Sequence, residues 1–124
     1  MSHDPNCIFC KIIAGAIPSK KVYEDEEILA FHDIASAAPI HFLIVPKRHI
    51  AMLSDTTQAD APLLGKMMSL APRLVGEQGG DPGKAGGFRV VVNNGADGRQ
   101  EVYHLHIHVL AGPRPWKKDL AAGL

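Results

Sequence analysis

No apolar run in this chain reaches the roughly 18 residues that a membrane-crossing helix needs. The opening stretch Met1-Ser2-His3-Asp4-Pro5 is polar and has none of the features of a secretory leader. Charge of either sign is not in excess: 13 Lys plus Arg balance 13 Asp plus Glu. The basic residues are scattered apart from Lys47-Arg48 and Lys117-Lys118, which excludes the footprint of a nucleic-acid binder. Cysteine occurs only twice, which excludes a disulfide-stapled scaffold. Internal repeats and low-complexity segments are missing too. These absences point to a soluble, cytoplasmic protein. Its 124 residues are enough for one domain that buries a core without staples. We expect that domain to span residues 1–124, with 1–6 as a flexible N-terminus and 113–124 as a tail carrying Trp116.

What the chain does have is histidine, seven in all. Three of them alternate with apolar residues in Tyr103-His104-Leu105-His106-Ile107-His108-Val109. In a strand, successive side chains point to opposite faces. Tyr103, Leu105, Ile107 and Val109 should therefore pack on a core while His104, His106 and His108 line the other face. Imidazoles titrate near neutral pH, so such a row suits acid/base, nucleophilic or metal chemistry. The outer two Cα atoms would lie about 13 Å apart, too far for all three rings to hold one metal without a bend. The three residues are better read as doing different jobs.

Cys7 and Cys10 form a C-x-x-C. Redox chemistry would need a thioredoxin-like strand and helix around the pair, and none is visible. Half of a zinc site and two small buried residues flanking Ile8-Phe9 are the readings left open.

The remaining pattern gives the architecture. Cys7–Ala14 reads as a short helix closed by Gly15. Lys21–Glu24 and Glu27–Asp33 read as a hairpin turning at Asp25-Glu26, and His41–Val45 as a third strand stopped by Pro46. A long helix is predicted over 57–78, capped by Thr57, with Leu63, Leu64, Met67, Met68, Ala71, Leu74 and Val75 at helical spacing and a kink at Pro72. Gly79–Gly87 is a mobile connection without the ending of a phosphate loop. Phe88–Asn93 and Glu101–Leu110 are two more strands, expected to pair antiparallel. The sum is α+β: five antiparallel strands, one face covered by the long helix and the other bearing the histidines.

The segment VVVNNGADGRQEVYHLHIHVLAG, from Val90 to Gly112, closely resembles the histidine triad (HIT) nucleotide-binding proteins, their Hint branch in particular. The family motif His-φ-His-φ-His-φ-φ, with φ apolar, is matched from His104 to Leu110. The stretch from Ile8 to Ile50, with FHDI and IVPKRHI in order, extends the likeness over nearly the whole chain. The resemblance implies a HIT-like fold whose sheet pairs into a ten-stranded homodimer. It implies hydrolysis of purine nucleoside 5′-phosphoramidates, AMP or GMP joined to an amine such as lysine. The route would be a nucleotidyl intermediate on His106, with His108 assisting the leaving amine and no catalytic metal or organic cofactor.

Other roles come with the likeness. Asp33 would take the ribose hydroxyls, and Ile17, Phe31, His32 and Ile34 would wall the base. Asn93 and Gln100 would lie by the phosphate, and His41 would be a further site histidine. Arg99 and Glu101 depart from the eukaryotic pattern of Gly and Ser, and a Gln-Glu pair resembles bacterial members. Cys7, Cys10, His49 and His104 match the ligands of a structural zinc in some bacterial HIT proteins. Two rival functions remain: a dinucleoside polyphosphate hydrolase of the Fhit type, against which His108 speaks, and a nucleotide-sensing scaffold.

Overall fold

The structure, a computed structural model, describes residues 3–117. The elements run α1 (Ile8–Ile13), β1 (Lys21–Glu24), β2 (Ile28–His32), β3 (Ile40–Pro46), α2 (Ala61–Glu77), β4 (Phe88–Val91) and β5 (Ile107–Ala111). The strands form one antiparallel sheet in the order β1-β2-β3-β5-β4. Central β3 pairs Leu43 with His108 and Ile44 with Ile107, so the register assigns each side chain of β5 to a face.

One face belongs to α2. Ile28, Ala30, Phe42, Ile44, Ile107, Val109 and Ala111 from the sheet bury against Met67, Leu70, Ala71, Leu74 and Val75 from the helix. The helical stripe steps by three and four residues, as one face of an α-helix requires. Met68, expected on that stripe, is half exposed, and Leu70 takes a place instead. The difference is angular: 67, 70, 71, 74 and 75 share a side, and 68 turns about 100° away.

α2 begins later than its sequence suggests. Thr57 caps a single 3-10 turn, Gln58–Asp60, by accepting the Ala59 N–H, while the Asp60 carboxylate accepts the Thr57 N–H. The α-helix then starts at Ala61 with Pro62 in its first turn, where a missing N–H costs nothing. It continues through Pro72 to Glu77.

The histidine strand differs more. A strand over Glu101–Leu110 was expected, yet only Ile107–Ala111 is strand. The preceding segment is drawn to residues 50–51: Leu105 N–H donates to the Ile50 carbonyl at 2.6 Å, and the Gln100 amide donates to the Ala51 carbonyl at 2.8 Å. Those bonds replace a ladder with β4. As a result Tyr103 is 45% exposed rather than packed on the core. Leu105, Ile107 and Val109 are buried as expected.

The chain leaves β5 through Gly112, at φ +105. A Cβ there would lie 2.7 Å from Pro39 Cβ, so only glycine fits. Beyond it, Trp116 Nε1–H donates to the Gly112 carbonyl, and Trp116 packs on Ala37, Ala38, Val91 and Leu110 of its own chain. Of the expected tail, residues 118–124 lie outside the described residues, as do residues 1 and 2 of the expected flexible N-terminus. No helix among the described residues is long and apolar enough to cross a membrane.

Candidate active site and metal centre

The second face of the sheet carries the chemistry. α1 lies across it, and Phe9, Cys7 and Cys10 bury against Leu29, Phe31, Leu43 and Val45. Beside this contact opens a cavity of about 1050 Å³. That is the upper end of the range for small-molecule sites, enough for a mononucleotide with a further group attached. Ile17, Phe31, His32, Asp33, Ile34, His41, Asn93, Arg99, Glu101, His106 and His108 all line it.

Gln100, expected beside the phosphate, does not. Its side chain is buried and fully used: Oε1 accepts the Gly95 N–H, and Nε2 donates to the carbonyls of Ala51 and Val102. It shapes the loop that presents Arg99 and Glu101. The wall also includes Ile8, Phe9 and Ile12 of α1, which sequence reasoning missed. Phe9 stands edge-on to the His106 ring, centroids 5.2 Å apart. A signal was available: Phe9 lies between Cys7 and Cys10, so any pairing of those cysteines with His104 would bring it to the triad.

Hydrogen bonds give four of the imidazoles a definite tautomer. His106 Nδ1 lies 2.7 Å from the His104 carbonyl, which can only accept. The proton therefore sits on Nδ1, and Nε2 is the bare nitrogen of a pocket residue. His104 Nε2 likewise donates to the Pro46 carbonyl at 2.8 Å, leaving Nδ1 bare. His41 is reversed. Its Nδ1 accepts the Ala37 N–H at 3.0 Å, so its proton is on Nε2, 3.0 Å from His108 Nδ1 and 3.4 Å from the Asp33 carboxylate. His108 Nδ1 must then accept, which puts its own proton on Nε2.

Burial pushes His106 down, and it pushes His104 and His108 down to about 4. All three rings are neutral at pH 7. A neutral imidazole with a bare Nε2 is a nucleophile, and a neighbouring N–H can bond an anionic oxygen.

Two clusters bring ligand-type atoms within 4.8 Å of one another: Cys7, Cys10, His49 and His104, and Asp33, His41 and His108. The first fits a metal. Its donor atoms are spaced 3.2 Å (His49 Nδ1 to His104 Nδ1), 3.3 Å (Cys7 Sγ to His104 Nδ1), 3.3 Å (Cys10 Sγ to His49 Nδ1) and 3.6 Å (Cys10 Sγ to His104 Nδ1). A tetrahedron with zinc-to-ligand bonds of 2.0–2.3 Å has edges of about 3.3–3.8 Å. The His104 ring is already oriented by Pro46, and the Cys10 N–H points at Cys7 Sγ. Burial pushes the Cys10 thiol up, so a thiolate there needs a cation beside it. The second cluster does not fit, because His41 Nε2 carries a proton and has no lone pair to give.

A bare ring nitrogen, an N–H donor next to it and a nucleotide-sized pocket in front suit a protein that handles phosphoryl groups through histidine. The chain belongs to the HIT domain family, whose model matches residues 14–114. Protein HitA of Neisseria gonorrhoeae is 46% identical over 108 residues, 87% of this chain and 97% of HitA. The crystal structure of a HIT family hydrolase from Legionella pneumophila superposes with TM-score 0.82 at 45% identity, covering 88% of this chain and 95% of that one. A zinc-bound histidine triad family protein from Mycobacterium smegmatis superposes with TM-score 0.72 at 30% identity, covering 86% and 74%.

The buried rings make stability depend on pH. Unfolded, His104 and His108 titrate near 6.5; folded, near 4. Between those values the unfolded chain binds protons that the folded chain refuses. In chelator-treated protein, the unfolding free energy from urea titrations should hold above pH 6.5. It should fall as pH drops toward 4, by up to about 2.7 kcal/mol per unit from these two groups, with His106 adding in the same sense.

Proposed function

We propose that this protein is a nucleotide-binding hydrolase that cleaves purine nucleoside 5′-phosphoramidates, AMP or GMP joined to an amine, through a nucleotidyl intermediate on His106. The observation that carries this reading is the 2.7 Å hydrogen bond from His106 Nδ1 to the His104 carbonyl, because it makes Nε2 the attacking atom. The Legionella relative is described as a hydrolase, which agrees.

In the first step Nε2 attacks the α-phosphorus and the bond from phosphorus to the substrate's amine breaks. The amine leaves with that electron pair and takes the proton of His108 Nε2. Before substrate binds, burial holds His108 near 4; an anionic phosphate beside the ring favours uptake of a solvent proton at Nδ1, the His41 Nε2–H then turning to the Asp33 carboxylate 3.4 Å away, so the substrate recruits the acid. In the second step water attacks phosphorus and yields its proton to His108. The bond to Nε2 breaks, and the nucleotide leaves as a monophosphate. Asp33, whose Oδ1 is fixed by the Ala35 N–H, takes the ribose diol. Ile17, Phe31, His32 and Ile34 hold the base, Asn93 lies by the phosphate, and His41 positions His108.

We infer that Cys7, Cys10, His49 and His104 hold a structural zinc. When bound, it cross-links α1 to the segment before β5. The donor spacing supports this, and the mycobacterial relative holds zinc. We also infer a cytoplasmic protein, which two buried cysteines not joined in a disulfide favour, formed of one domain. It would pair through edge strand β4 with a second copy into a ten-stranded sheet.

Wild type should release amine from an AMP-amine phosphoramidate with no added metal, and His106→Ala should lose about 10³-fold or more in kcat/KM. A wild type that binds AMP without cleaving the conjugate would move the protein to polyphosphate hydrolysis or nucleotide sensing. Native mass spectrometry should show two chains with one zinc each, and Cys10→Ser should lose the metal. A metal-free monomer would contradict both structural inferences.

A further inference from the structure

We propose that Cys7 and Cys10 are a peroxide-sensitive modification site: oxidation joins them in a disulfide, expels the metal and loosens the α1 wall of the nucleotide pocket. The inference rests on the zinc reading and adds a chemistry that the nucleotide reaction does not use.

Three observations carry it. The two sulfurs have only each other as disulfide partners within the chain, which has no further cysteine. Their Sγ atoms lie within 4.8 Å of one another in the cluster with His49 and His104. A disulfide needs about 2.05 Å between sulfurs, so the closure is short. The pair is also graded in access: Cys7 is 8% exposed and Cys10 1%. A small solute meets Cys7 first, and Cys10 stands behind it with its N–H on Cys7 Sγ at 3.3 Å. Zinc, when bound, keeps both sulfurs as thiolates, the form that attacks peroxide. Finally, the two residues between the cysteines, Ile8 and Phe9, both line the nucleotide pocket. Phe9 stands edge-on to Phe31 at 5.5 Å and to His106 at 5.2 Å. A change in the turn from Cys7 to Cys10 therefore moves the surface that faces the base and the His106 ring.

The oxidant is hydrogen peroxide. The Cys7 thiolate attacks one peroxide oxygen, the O–O bond breaks, and hydroxide leaves behind a sulfenic acid. The Cys10 thiolate then attacks the Cys7 sulfur, the S–S bond forms, and a second hydroxide leaves. Two solvent protons turn both hydroxides into water. The sulfurs lose two electrons and the peroxide oxygens gain them. Zinc is not oxidised or reduced; it departs as the divalent ion, because His49 and His104 alone do not close a tetrahedron. With the metal goes the cross-link between α1 and His104, whose carbonyl accepts the His106 Nδ1 proton at 2.7 Å.

The test treats the zinc-loaded protein with a small excess of hydrogen peroxide at neutral pH. Released zinc is read with a chromophoric chelator, the disulfide by peptide mass spectrometry after free thiols are blocked, and AMP affinity by calorimetry. Wild type should release its zinc as the disulfide between Cys7 and Cys10 forms, and its Kd for AMP should rise about fivefold or more. Dithiothreitol with added zinc should restore both. That recovery separates the disulfide from methionine oxidation, since a sulfoxide needs its own reductase. Cys7→His leaves a ligand that zinc accepts but removes the outer sulfur, so it should keep its metal at peroxide doses that empty wild type. Zinc retained by peroxide-treated wild type, sulfinic acid in place of the disulfide, or an AMP affinity that oxidation leaves unchanged would overturn this inference alone. So would a Cys7→His protein that loses its zinc to peroxide as readily as wild type. A protein that takes up no zinc would overturn the zinc reading and this inference with it.

Discussion

The backbone carbonyl of His104 joins the two halves of the site. It accepts the His106 Nδ1 proton at 2.7 Å. The side chain of the same residue is anchored to the Pro46 carbonyl at 2.8 Å and faces Cys7, Cys10 and His49. The position of the His106 ring therefore depends on how firmly residue 104 is held. A buried imidazole with a bare nitrogen is costly unless its other nitrogen is bonded, and here each chain of such bonds ends at a backbone group with only one possible role. Backbone carbonyls accept; a backbone N–H donates. That is why the tautomers of His104, His106, His41 and His108 follow without ambiguity.

From this comes the division of labour among three residues that look alike in the chain. His104 is fully buried and braces the strand entry; His106 offers Nε2 to the pocket; His108, its Nδ1 held by His41, offers an N–H. α1 completes the arrangement by laying Phe9 edge-on against both His104 and His106. The short helix is thus a wall of the pocket as well as the carrier of two candidate metal ligands.

Much of this was legible in the residues. The alternation at 107–109 placed Ile107 and Val109 on the core and His108 on the open face, because side-chain direction in a strand has a period of two. The helical stripe of α2 was legible for the same kind of reason. The same alternation misled at 101–106, where no local signal shows that Leu105 bonds to Ile50 rather than to β4. Gln100 misled in a similar way: a polar residue beside a site motif reads as a ligand contact until its amide is seen bonding three backbone groups. The pocket wall from α1 depends on a contact spanning nearly the whole chain, between Cys7 and His104, and periodicity carries no information about such distances.

The central claim is that His106 alone among the triad becomes covalently linked to the nucleotide. Acid-quenching the enzyme during turnover of an AMP-amine phosphoramidate, followed by peptide mass spectrometry, tests it most directly. The account predicts a nucleotidyl group on His106, formed and consumed at rates that match turnover. A nucleotidyl group on His104 or His108, or rapid turnover with no adduct at any histidine, would contradict it.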